Sequence, residues 1–91
     1  MEKEQQYPQN VYEDLLVDRV HLTLFNDDFN TFDHVIESLI TVCRHEAIQA
    51  EQCAFTVHYK GKCVVKSGGY GELSVMHRSL SERNLTVEIN N

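Results

Sequence analysis

The chain has 91 residues, enough for one small domain with a single modest core. Hydrophobic residues make up 42% and charged residues 24%, close to the globular average. Eight Lys and Arg against fourteen Asp and Glu leave a net charge of −6. That balance argues against a nucleic-acid backbone as partner and favours cationic or neutral ligands.

Residues 1–18 are polar, contain the only proline (Pro8) and show no sustained apolar period. They are expected to form a flexible N-terminal tail, with Val11, Tyr12, Leu15 and Leu16 docking locally. The opening "MEKEQQYPQNVYEDLL" lacks the apolar stretch of a secretory signal, and no run approaches the ~20 apolar residues that span a bilayer. Three cysteines without a C-x-x-C pair fit a reducing compartment, so the expected location is cytoplasmic, with no membrane partner.

The domain proper is expected over residues 19–91. "RVHLTLF" alternates, placing Val20, Leu22 and Leu24 on one face of a half-buried strand. After the polar run "NDDFN", the segment "TFDHVIESLITVC" switches to helical spacing, with Phe32, Val35, Ile36, Leu39, Ile40 and Cys43 on one face. Asn30 is the expected N-cap, and Asp33 suits the positive start of that helix. "RHE" interrupts, and "EAIQAEQCAFTVHY" predicts a second helix with Ala47, Ala50, Cys53, Ala54 and Val57 inward. Gly61 in "KGK" supplies a turn, since glycine adopts positive φ without steric cost. "CVVKS" reads as a strand, "GGYG" as a loop and "ELSVMHRSLSER" as a short helix with Leu73, Met76 and Leu80 on one side. "LTVEI" alternates again, with Leu85, Val87 and Ile89 inward. The predicted architecture is α+β: a β-α-α-β-α-β sandwich with a small three-stranded antiparallel sheet and helices on one face.

Chemistry-bearing patterns are few. "CVVKSGGYGE" sets glycines between a strand and a helix, but it has neither the G-K-[ST] ending nor full G-x-G-x-x-G spacing. Of five histidines and three cysteines only Cys43 and His45 stand at ligand spacing, so no metal is expected. "DDFNTFDHVIE" lacks the glycine and the recurring oxygen ligands of a calcium loop. No nucleophile sits in a recognisable elbow, which makes catalysis the weaker class, and no cofactor is implied. The run Asn26-Asp27-Asp28 fits a turn, because Asn and Asp favour turns and caps; it equally fits a cluster of acceptors aimed at a cation.

Taken together, "LFNDDFNTFDHVIESL" and "AEQCAFTVHYKGKCVV" resemble the two signature segments of the ClpS family, bacterial N-degron adaptors of Clp proteases. The matching residues are Asn26, Asp27, Asp28, Phe29, Asn30, Val35 and Ile36, then Val57, His58, Tyr59, Gly61 and Lys62. The resemblance covers about residues 20–89 and implies the same β-α-α-β-α-β fold. It implies a non-enzymatic adaptor that binds the free N-terminus of substrates bearing a large hydrophobic first residue (Leu, Phe, Tyr or Trp). The expected amine ligands are Asn26, Asp27 and His58. The expected hydrophobic pocket is Leu24, Asn30, Phe32, Val35, Ala54, Val57 and Leu85. The implied partners are N-degron substrates and the N-terminal domain of a Clp-family AAA+ ATPase, ClpA- or ClpC-like.

The chain departs from better-known members at Phe32 and Ala54, where those carry methionine; one change adds bulk and the other removes it. The third helix also lacks a family-like E-x-x-E-x-K surface. Two alternatives stay open on the residues alone: a small hydrolase or transferase using Asp27 and His58 as acid and base, and a purely structural interaction module.

Overall fold

The computed structural model describes residues 19–91. The expected tail over residues 1–18, with its docking residues, lies outside the described residues. Six elements follow in chain order: β1 (Val20–Phe25), α1 (Phe32–Cys43), α2 (Ala47–Lys60), β2 (Lys62–Gly68), α3 (Tyr70–Glu82) and β3 (Thr86–Asn90). The strands form one antiparallel sheet in the order β2-β1-β3, so the first strand lies in the middle. The α+β architecture is the one its alternating and helical periods predict.

Val20, Leu22 and Leu24 of β1 are buried together with Leu39 and Cys43 of α1, Ala50 and Val57 of α2, and Leu73 and Leu80 of α3. All three helices thus cover the sheet face that carries Val20, Leu22 and Leu24. Each fully buried leucine contributes roughly 1.5–3 kcal/mol of transfer free energy. The α1–α2 connection is sharp: Arg44 takes a left-handed conformation at φ 60°. Behind it His45 is buried, and its Nε2 lies 2.7 Å from the Val65 carbonyl. A carbonyl only accepts, so Nε2 carries the proton. The β1–β2 register shifts between Leu22 and Thr23, leaving Val65 as the extra residue on β2.

Four local expectations need correction. The α1 N-cap is Thr31, not Asn30: its hydroxyl accepts from the His34 backbone N–H at 3.1 Å. Asn30 is instead bonded to Asp27, so the next oxygen-bearing side chain takes the cap. Ala47 is exposed, because the first turn of α2 projects beyond the core that Ala50, Ala54 and Val57 reach. "GGYG" is not a free loop: Gly68 ends β2, Gly69 caps α3, and Tyr70 and Gly71 are helical. On α1, Ile40 is left 39% exposed, whereas Ser38 is fully buried and accepts from Arg83 Nη1 at 3.4 Å.

Candidate functional site

The site grows from the loop between β1 and α1. As β1 ends, the Asn26 N–H donates to the Gly61 carbonyl at 2.9 Å, tying the loop to the turn after α2. Gly61 sits there at φ 94°, a conformation glycine adopts freely, and its own N–H closes α2 on the Val57 carbonyl. Asp27 then folds the loop onto itself. Its Oδ1 accepts from the backbone N–H groups of Phe29 and Asn30, both at 2.8 Å. Its Oδ2 accepts from Asn30 Nδ2 at 2.7 Å. The same Asn30 amide donates to the Asn84 carbonyl at 2.9 Å, reaching the turn between α3 and β3.

Partial burial pushes the Asp27 carboxyl up. The N–H and side-chain amide of Asn30, the N–H of Phe29 and the nearby His34 outweigh it, holding Asp27 below the ordinary carboxylate range. Asp27 is therefore an anion at neutral pH. Each carboxylate oxygen has two acceptor sites, and Oδ2 uses only one of them within the loop.

Opposite the loop stands the C-terminal half of α2. A cavity of about 330 Å³ opens between them, lined by Asn26, Asp27, Asp28, Asn30, Thr31, Phe32, Val35, Ala54, Val57 and His58. Phe32, at the start of α1, packs its ring 5.2 Å from that of His58. Oxygen acceptors on the loop and the His58 ring on α2 thus share one cavity with the apolar side chains of Phe32, Val35, Ala54 and Val57. Such a cavity suits a ligand with a cationic group beside an apolar one.

Eight of the ten site residues expected from sequence line this cavity. Leu24 and Leu85 do not: they are 1% and 5% exposed. With Asn26, Asp27, Asn30, Val35 and Val57 they enclose a recess of about 20 Å³ beneath it. Thr31 and Asp28 line the cavity without having been singled out as site residues. The helix-start position of Thr31 was the available signal for the first; Asp28 was legible as part of the Asn26-Asp27-Asp28 run, which fits a turn and an acceptor cluster equally.

A family model described as ATP-dependent Clp protease adaptor protein ClpS matches residues 17–88, which include the whole site. The chain belongs to the ClpS family. An ATP-dependent Clp protease adapter protein ClpS from Acetivibrio thermocellus is 50% identical over 42 residues, 46% of this chain and 42% of that protein. A ClpS of Thermosynechococcus vestitus is 32% identical over 65 residues, 70% of this chain and 69% of the relative. The matched stretch thus spans less than half the length of the first relative. The solved structure of Agrobacterium tumefaciens ClpS2 bound to L-phenylalaninamide shares the fold. Its TM-score is 0.72 over 79% of this chain and 94% of that one, at 19% identity.

Beyond the site, this ClpS-family chain holds the Cys43 and Cys53 thiols in poorly reactive surroundings. Burial pushes Cys43 up to about 11, only partly offset by Lys66. Burial and the adjoining Cys63 thiol push Cys53 up to about 12. Among the described residues no three His, Cys, Asp or Glu side chains converge where a metal ion could bind. None of the described helices is long and apolar enough to cross a membrane.

Proposed function

We propose that this chain captures the free N-terminus of substrates whose first residue is large and hydrophobic (Leu, Phe, Tyr or Trp). It then delivers them in the cytoplasm to a ClpA- or ClpC-like AAA+ ATPase through that enzyme's N-terminal domain. The observation that carries the reading is the union of acceptors and apolar wall in one cavity. An α-amino group has a pKa near 8, so at neutral pH it is mostly an ammonium with three donors. The Asn26 carbonyl, the Asp27 carboxylate and a ring nitrogen of His58 answer those donors. Charge-assisted bonds contribute roughly 1.5–3 kcal/mol each, and burying a Leu or Phe side chain adds about 1.5–3 kcal/mol. The phenylalaninamide carried by the Agrobacterium tumefaciens protein has both features, a free amine and a benzyl side chain.

Phe32 and Ala54 give the cavity its own outline, which alters the ranking among the four residues rather than abolishing binding. The function is one of recognition rather than turnover: a carboxylate held below its ordinary range is a weak general base at neutral pH. Fluorescence anisotropy with peptides beginning Leu, Ser and acetyl-Leu tests the proposal. The Leu peptide is expected to bind at least about tenfold more tightly than either control, the order of one lost charge-assisted bond. Equal affinities overturn it. A pull-down with the ATPase N-terminal domain tests delivery separately.

A further inference from the structure

The apolar surface does not stop at the rim of the cavity. Phe32 meets Phe55 of α2 with 5.2 Å between ring centroids, and Phe55 stacks on Tyr59 at 6.1 Å with ring planes 9° apart. His58 touches Tyr59 edge-on at 4.8 Å, which joins the same surface to the polar side of the cavity. At 100° per residue, Ile48, Phe55 and Tyr59 fall within about 40° of one another, opposite the inward stripe of Ala50, Ala54 and Val57. They are 68%, 52% and 74% exposed. None of the three belongs to the core. A contiguous exposed apolar strip of this kind marks an interaction surface.

We infer that Phe55 and Tyr59 form a second subsite, which seats a side chain of the substrate residue that follows the captured one. The inference rests on the proposed capture of N-termini. With its amine against Asn26, Asp27 and His58 and its first side chain in the cavity, a peptide that leaves between Phe32 and His58 runs directly onto the aromatic strip. An extended chain advances about 3.3–3.6 Å per residue, so the second or third residue lies over a strip whose rings are spaced 5.2 and 6.1 Å apart. Successive side chains point to opposite sides; the first points into the cavity, so the second points outward, where Phe55 and Tyr59 are exposed. Ring chemistry refines the preference. Glu51 lies one turn before Phe55 and Lys60 directly follows Tyr59, so the neighbouring charges are of both signs. The faces of the rings are the negative ends of their quadrupoles, so aromatic and basic side chains suit the strip and a carboxylate does not.

The test is anisotropy on the full chain with peptides beginning Leu-Phe, Leu-Ser and Leu-Glu, each with a free and an acetylated amine. The unmodified protein is expected to favour Leu-Phe over Leu-Ser by about three- to tenfold, the range of an added aromatic contact, with Leu-Glu weakest. In Phe55→Ser/Tyr59→Ser the preference disappears while Leu-Ser binding moves by less than about twofold, below the scale of one such contact. Circular dichroism checks that the double variant is folded. A preference that survives the double variant overturns the inference, as does an equal loss for Leu-Phe and Leu-Ser. A strip that instead holds a second copy, seen as a dimer in sedimentation that the double variant abolishes with no change in peptide ranking, overturns it too. Acetylation arms that bind as well as free amines overturn the capture reading itself, a result distinct from indifference to the second residue.

Discussion

Two short polar segments each lead into a helix, and they spend their polar groups in opposite ways. Residues 26–31 turn inward on themselves: Asp27 collects two backbone N–H groups and an amide, Thr31 caps α1, and the remaining acceptor capacity faces a cavity. Residues 44–46 turn into the protein: Arg44 adopts a left-handed conformation and His45 is buried, bonded to a strand carbonyl twenty positions away. The first segment holds a shape whose outer side is open to ligand. The second stitches a helix end to the sheet through His45, while Arg44 and Glu46 stay exposed on either side of it. A polar loop is thus a candidate site when it keeps acceptors over a cavity, not merely because it is polar.

The sharpest way to break this contrast is to remove each loop's central side chain and read stability and binding separately. His45→Ala strips a buried carbonyl of its partner and opens a cavity, so a loss of about 3 kcal/mol is expected from the two costs together. Urea unfolding measures it. N-terminal peptide affinity should be unchanged, because His45 follows the far end of α1, whose axis separates Phe32 from Cys43 by about 16 Å. Asp27→Asn is the converse. It keeps an acceptor for the Phe29 and Asn30 N–H groups but removes the charge, so peptide affinity should fall about ten- to a hundredfold. Its urea midpoint should fall too, but by less than that of His45→Ala, because a partly exposed carboxylate loses its charge and its bond from the Asn30 amide while both backbone N–H groups keep an acceptor. If His45→Ala weakens binding as much as Asp27→Asn does, the division between the loops collapses.

The same contrast explains which features were legible in the sequence. Alternation in "RVHLTLF" and "LTVEI" reports burial on one sheet face, and Gly61 reports a left-handed turn, because each depends on near neighbours alone. The cavity residues were legible through two motifs whose residues converge once α1 and α2 pack. The N-cap was misread because Asn30 and Thr31 both qualify locally; the decision belongs to Asp27, which claims Asn30 first. The family resemblance implied Leu24 and Leu85 in the pocket lining; here both are buried around the smaller recess, a depth that residue type does not report. His45 was invisible for a different reason. Its partner is the carbonyl of the extra residue in a shifted strand pairing, and a backbone acceptor leaves no trace in residue type.

Two smaller perturbations sharpen the account of the first loop. Thr31→Ala should cost about 1 kcal/mol, the usual effect of deleting a helix cap, visible in the urea midpoint. Asn30→Ser/Thr would retain a donor, so Asn30→Ala is the cleaner probe of how Asp27 is held. Asp27 lies below its ordinary range in the folded chain, so its ionised form stabilises the fold fully above the unfolded value. That contribution is lost as pH falls through the lowered folded value. Deleting the Asn30 amide removes one of the three bonds to the carboxylate while its backbone N–H remains. The Asp27 carboxyl should therefore titrate at higher pH in the variant, partway back to the ordinary range, as followed by carboxyl carbon NMR. Acid unfolding should begin earlier for the same reason. An unmoved titration would mean that backbone N–H groups alone fix the charge. The Asn30 amide would then serve only to reach the Asn84 carbonyl, tying the loop to the turn before β3 without setting the charge of Asp27.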